Sequence, residues 1–115
     1  MAFKLAPKNQ IKTKVVVEVL GDLNQVEKSD FVATFRKLAV SDVRYVVESV
    51  KSGDVEENDL IKENLIDWEG VLDYEKNEVS FNAENLNSLL EIVEARKALA
   101  AAFWRVQSGE IARKN

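Results

Sequence analysis

Neither cysteine nor histidine occurs anywhere in this 115-residue chain, and the two absences limit both what can hold it together and what it can do. Without cysteine there is no disulfide, so stability has to come from packing a core, a habit of cytoplasmic proteins. Without either residue there is no thiolate nucleophile, no imidazole base and no Cys/His zinc site. Hydrophobic residues make up 46% of the chain, enough for one core, and the length suits a single domain over residues 1–115. The four glycines, at positions 21, 53, 70 and 109, are isolated, so no glycine-rich phosphate loop is present.

Charge is unevenly spread. Residues 1–53 carry nine Lys/Arg against six Asp/Glu, residues 54–94 two against thirteen, and residues 95–115 five against one. An acidic middle between basic ends repels a phosphate backbone, so no nucleic-acid partner is expected. No run approaches ~18 consecutive apolar residues, and Met1-Ala2-Phe3-Lys4 does not open a secretory leader. No membrane partner is expected, and the expected location is the cytoplasm.

Lys12 to Leu20 alternates: Val15, Val17 and Val19 fall between Lys14, Val16 and Glu18, the period of a half-buried strand. Gly21-Asp22-Leu23-Asn24 supplies a turn. Residues 29–38 read two ways, since Phe31, Ala33 and Phe35 alternate while Phe31, Phe35 and Leu38 also share a helical face. The β-branched and aromatic content, and a strand immediately upstream, favour a hairpin.

A helix is expected over Asp42–Ser52, capped by Ser41 and stapled by Val40 and Tyr45. Val43, Val46, Val47 and Val50 form its apolar stripe, and Gly53 closes it. A second is expected over about Glu56–Ile66, with Asp54 as cap and Leu60, Ile61, Leu65 and Trp68 as its buried face. An irregular connection follows, with Gly70 and Asn77 as turn residues. The last helix is expected to run unbroken over Ala83–Ser108 from an Asn82 cap, with Phe81 and Leu86 as its staple. At that length it would measure about 39 Å, against a diameter of about 26 Å for a domain of this size. Part of it would then project or meet a partner. The expected core includes Val47, Leu65, Trp68, Leu86, Leu90 and Val93. The fold class is α+β and α-rich: an N-terminal β-hairpin packed on about three helices, the C-terminal one longest.

Catalysis finds no foothold. No Ser–x–x–Lys pair replaces the missing histidine, and none of the many carboxylates sits in an apolar setting that would perturb it. Asp73, Glu75, Asn77 and Glu84 match positions one, three, five and twelve of a calcium loop. Glu78, however, stands where that loop needs glycine, and Ser80 where an apolar residue is usual. A charged turn leading into a capped helix is expected, with no cofactor and no metal.

The candidate binding residues are aromatic or small. Trp68 is one. Along the last helix, Ala98, Ala101 and Ala102 allow close approach of a neighbouring helix, and Phe103 and Trp104 cannot both point the same way. Partner binding is expected within Ala98 to Ile111, where the C-terminal stretch turns basic at Arg105 and, just beyond, at Arg113 and Lys114. This stretch suits capture of an amphipathic helix or self-association into a homo-oligomer. The alternative is that its alanines pack on the chain's own hairpin.

Leu65-Ile66-Asp67-Trp68-Glu69-Gly70-Val71, the acidic turn from Asp73 to Glu78, and Val79-Ser80-Phe81-Asn82-Ala83-Glu84-Asn85-Leu86-Asn87-Ser88-Leu89-Leu90 together resemble the tail assembly chaperones of long-tailed bacteriophages. Ala100-Ala101-Ala102-Phe103-Trp104, an Ala-rich helix with a terminal aromatic, fits as well; Asn77 departs from the glycine usual there. The resemblance implies a non-enzymatic protein that binds the tape-measure and tail-tube proteins in the host cytoplasm and is absent from the finished virion. Many such proteins also exist as a longer, frameshifted form. Two other readings remain: a different small adaptor of phage or bacterial origin, or a small carboxylate or metal-dependent enzyme.

Overall fold

A computed structural model describes residues 1–3, 5 and 9–109. In chain order the elements are β1 (Gln10–Leu20), β2 (Val26–Arg36), α1 (Val40–Ser52), α2 (Glu57–Asn64), β3 (Leu65–Glu69), α3 (Ala83–Leu90) and α4 (Val93–Ser108). The fold is α+β and helix-rich, with α4 the longest helix.

β1 and β2 form the expected hairpin, antiparallel from Gln10↔Arg36 to Leu20↔Val26. A third strand extends it, in the order β1-β2-β3. The alternation in the sequence becomes two faces. Val15, Val17, Phe31, Ala33 and Phe35 point inward and are buried. Lys12, Lys14 and Lys28 lie on the outer face and pair with Glu69, Asp30 and Glu18 at 3.0, 3.6 and 3.4 Å. Pairs this exposed contribute little. The hydrogen bond to Glu69, and then that carboxylate's charge, hold the Lys12 ammonium above its ordinary pKa.

α4 runs across the inward face of the sheet, and α2 and α3 pack beside it. The centre of the core is aromatic: Phe35 of β2 meets Phe103 of α4 edge to face, ring centroids 5.8 Å apart. Leu60, Ile61 and Leu99 close around them, all fully buried.

Several expectations are corrected. Leu65 and Trp68 belong to β3, since α2 ends at Asn64, whose side-chain amide folds back to donate to the Leu60 carbonyl at 2.8 Å. Both residues are buried as expected, but from a strand. α1 begins at Val40 with Ala39 as its cap residue, so Ser41 does not cap it, and Val40 and Tyr45 are both exposed rather than stapled. Glu56, not Asp54, precedes α2; Asp54 instead accepts from the Ser52 hydroxyl at 3.0 Å. In the turn after Asp73 the left-handed residue is Lys76 rather than Asn77. Gly53 and Asn82 do act as expected: Gly53 closes α1 in the left-handed conformation, and the Asn82 side chain accepts from the Asn85 N–H at 2.8 Å.

The largest correction is at Glu91–Ile92. The helix expected over Ala83–Ser108 is two helices, making four α-helices in all among the described residues. Ile92 is extended, with φ −88° and ψ 113°, and starts α4. The reason lies in the phase of the apolar residues. At about 100° per residue, Leu86 and Leu90 share one side of a helix, while Ala95, Leu99, Ala102 and Val106 lie roughly opposite. A straight rod would turn one set to water. Breaking at Ile92 lets both face the core, and Val93, expected inside, comes out 51% exposed.

Candidate interaction surface

The residues after the break divide according to that phase. Ala102 and Phe103 are buried, so the Ala-rich stretch packs largely on the chain's own sheet. Trp68 is buried as well, its indole N–H donating to the Val79 carbonyl at 2.8 Å and its ring edge-on to Phe81. Ala98 is half-buried, whereas Ala101 is exposed and Trp104 and Arg105 are partly so. Ile111, Arg113 and Lys114 lie outside the described residues.

Ala101, Trp104 and Arg105 are brought together along one wall of a groove between α4 and α1. Val43 and Val47 line the facing wall of an open hollow of about 450 Å³. A second hollow, of about 430 Å³, continues it through the shared residues Val43 and Gln107 toward Lys37, Val40 and Arg44. The α1 side was missed because a valine stripe at helical spacing reads as core. In fact Ser49 is the only buried residue of α1, and Val40 is 69% exposed.

Hydrogen bonds fix the α4 wall. Lys37 Nζ donates to the carbonyls of Val106 and Gln107 at 2.6 and 2.9 Å, placing a cation at the negative end of the helix. The Gln107 amide donates to the Arg36 carbonyl at 2.6 Å and accepts the Leu38 N–H at 2.8 Å. Arg105 Nη2 donates to Thr13 Oγ1 and the Lys14 carbonyl. The Trp104 indole donates to Glu57 Oε2 of α2 at 2.8 Å, tying this wall to the neighbouring helix.

Three cations therefore line the groove, Lys37, Arg44 and Arg105, and none forms an ion pair among the described residues. Among the described residues, no carboxylate lines either hollow. The surface is apolar and positive, on a chain of net charge −4.

Among the described residues, no group of three or more Asp/Glu is arranged to hold a metal ion. In the Asp73 turn, Oδ1 of that residue already accepts the N–H groups of Glu75 and Asn77, each at 2.9 Å. Millimolar calcium or EDTA is expected to leave the melting temperature unchanged; a calcium-dependent rise of more than about 2 °C, on the order of half a kcal/mol, would contradict this. No helix among the described residues is long and apolar enough to cross a membrane. No protein-family model, curated protein or solved structure gives a significant match to this chain.

Proposed function

We propose that the chain is a non-enzymatic phage tail assembly chaperone, binding tape-measure and tail-tube proteins in the host cytoplasm during tail morphogenesis. The observation that carries the binding reading is the apolar, cation-lined groove between α1 and α4. An amphipathic helix presents a complementary stripe, and apolar contact in a preformed groove is a recurring way of holding one. The tail-protein assignment itself comes from the resemblance over residues 65–104.

The test is co-expression with tape-measure and tail-tube proteins of a long-tailed phage, followed by affinity capture of this chain. Ala101 is exposed in the groove wall, so Ala101→Glu places a charge there without touching the core. It is expected to weaken capture of the tape-measure protein by about tenfold or more, roughly 1.4 kcal/mol, with melting unchanged. Trp104→Ala is expected to weaken it similarly. Capture that survives both substitutions places the binding face elsewhere, and no capture by the unmodified chain removes the tail-protein reading.

A further inference from the structure

The hairpin ends in a tip that brings the isolated chain no burial. Leu23 is 92% exposed and sits at φ 55°, ψ 35°, in the left-handed region, followed by Asn24 at φ 61°. That conformation is costly for a leucine. Beside it, Leu20 and Val26 face each other across the hairpin, 67% and 55% exposed. The tip is also acidic. Glu18 is paired with Lys28, while Asp22 and Glu27 form no ion pair among the described residues.

This convex, apolar, acidic tip complements the concave, apolar, positive groove described above. The two cannot meet within one molecule. The groove opens at the base of the hairpin, where the Lys37 N–H donates to the Asn9 carbonyl at 2.8 Å. The tip lies at the far end of two eleven-residue strands, about 33 Å away at ~3.3 Å per residue.

We propose that the hairpin tip of one copy docks in the α1–α4 groove of a second copy, head to tail. Leu23 enters beside Val43 and Val47, and Asp22 and Glu27 face Arg44, Lys37 and Arg105. Asp42 and Glu48 also belong to α1, but neither lines the groove. Such a contact is heterologous: each copy keeps one tip and one groove free, so association continues until a ring closes or a filament grows. The contact uses the same groove as the proposed function without depending on the tape-measure reading. A chain that captures no tail protein would still self-associate, and a partner seated in the groove would displace the tip.

Sedimentation velocity on the purified full chain, from about 5 μM to 0.5 mM, tests this. The weight-average mass should rise with concentration and fall again as salt screens the charges. Leu23→Gly removes the side chain where glycine takes the backbone freely, and Arg44→Glu reverses an exposed charge. Leu23→Gly should melt at or above the parent, since it relieves the left-handed leucine, and Arg44→Glu should melt like it; each alone should associate at least about tenfold more weakly. Mixed in equal amounts they should form a dimer and stop there, because only the Leu23→Gly groove and the Arg44→Glu tip remain complementary. A parent chain that stays monomeric at 0.5 mM overturns the proposal. So do single variants that associate normally, or a mixture that gains nothing.

Discussion

Replacing Phe103 with Ala is expected to lower the unfolding free energy by about 3–5 kcal/mol, which for a chain of this length is roughly 12–20 °C of melting temperature. Phe103 is fully buried where α4 crosses the sheet. Its ring is edge-on to Phe35 at 5.8 Å and to Trp104 at 4.9 Å. Deleting it removes apolar burial and both aromatic contacts. The cavity left behind is bounded by a strand and a helix that are themselves hydrogen-bonded, so little can collapse into it. Urea melts read the result directly. A loss below about 1 kcal/mol would mean that α4 does not seat on the sheet in this way.

The second large effect is expected at Gln107, a buried polar side chain. Its amide joins the end of β2 to α4, donating to the Arg36 carbonyl and accepting the Leu38 N–H. Gln107→Leu keeps the volume and removes both bonds. Two backbone groups at a chain reversal then lose their partners, each costing about 1–3 kcal/mol when it stays buried. A total of about 2–4 kcal/mol is expected, because Lys37 still ties the same two segments and water reaches part of the site. A melt within 0.5 kcal/mol of the parent, the scatter of a surface substitution, would show that the side chain is a bystander.

The hairpin was legible because its alternation is unbroken: the residues that alternate from Lys12 to Leu20 are the ones that face in and out. The twofold reading of residues 29–38 settles as strand because Phe31, Ala33 and Phe35 all gain partners on β1. β3 was hidden by its own irregularity. Thr34 pairs with Asp67 and Phe35 with Leu65, leaving Ile66 as an extra residue. That bulge turns Leu65 and Trp68 inward together, three positions apart, which is also the spacing of a helical face.

The break at Ile92 did leave a trace. In one continuous helix Lys97 falls on the same side as Leu86 and Leu90, and Leu99 on the opposite side. That conflict marks two helices rather than one. The groove left only half a trace. Its α4 wall was visible as Ala101, Trp104 and Arg105, but a stripe of valines does not say how deeply it is buried. On α1, Val46 and Val50 pack only as partly buried side chains at the edge of the core.

That shallow seating of α1 has a dynamic consequence. An element with one buried residue and an apolar face half open to water is expected to detach at a small fraction of the global unfolding free energy, while the sheet and α4 stay intact. Its amide protons would therefore exchange through a local opening, ahead of those in β2 and α4. The groove thus has one rigid wall and one compliant wall. A ligand too wide for it is accommodated by displacing α1 rather than by deforming the core, and the ordering entropy of binding falls mainly on that helix.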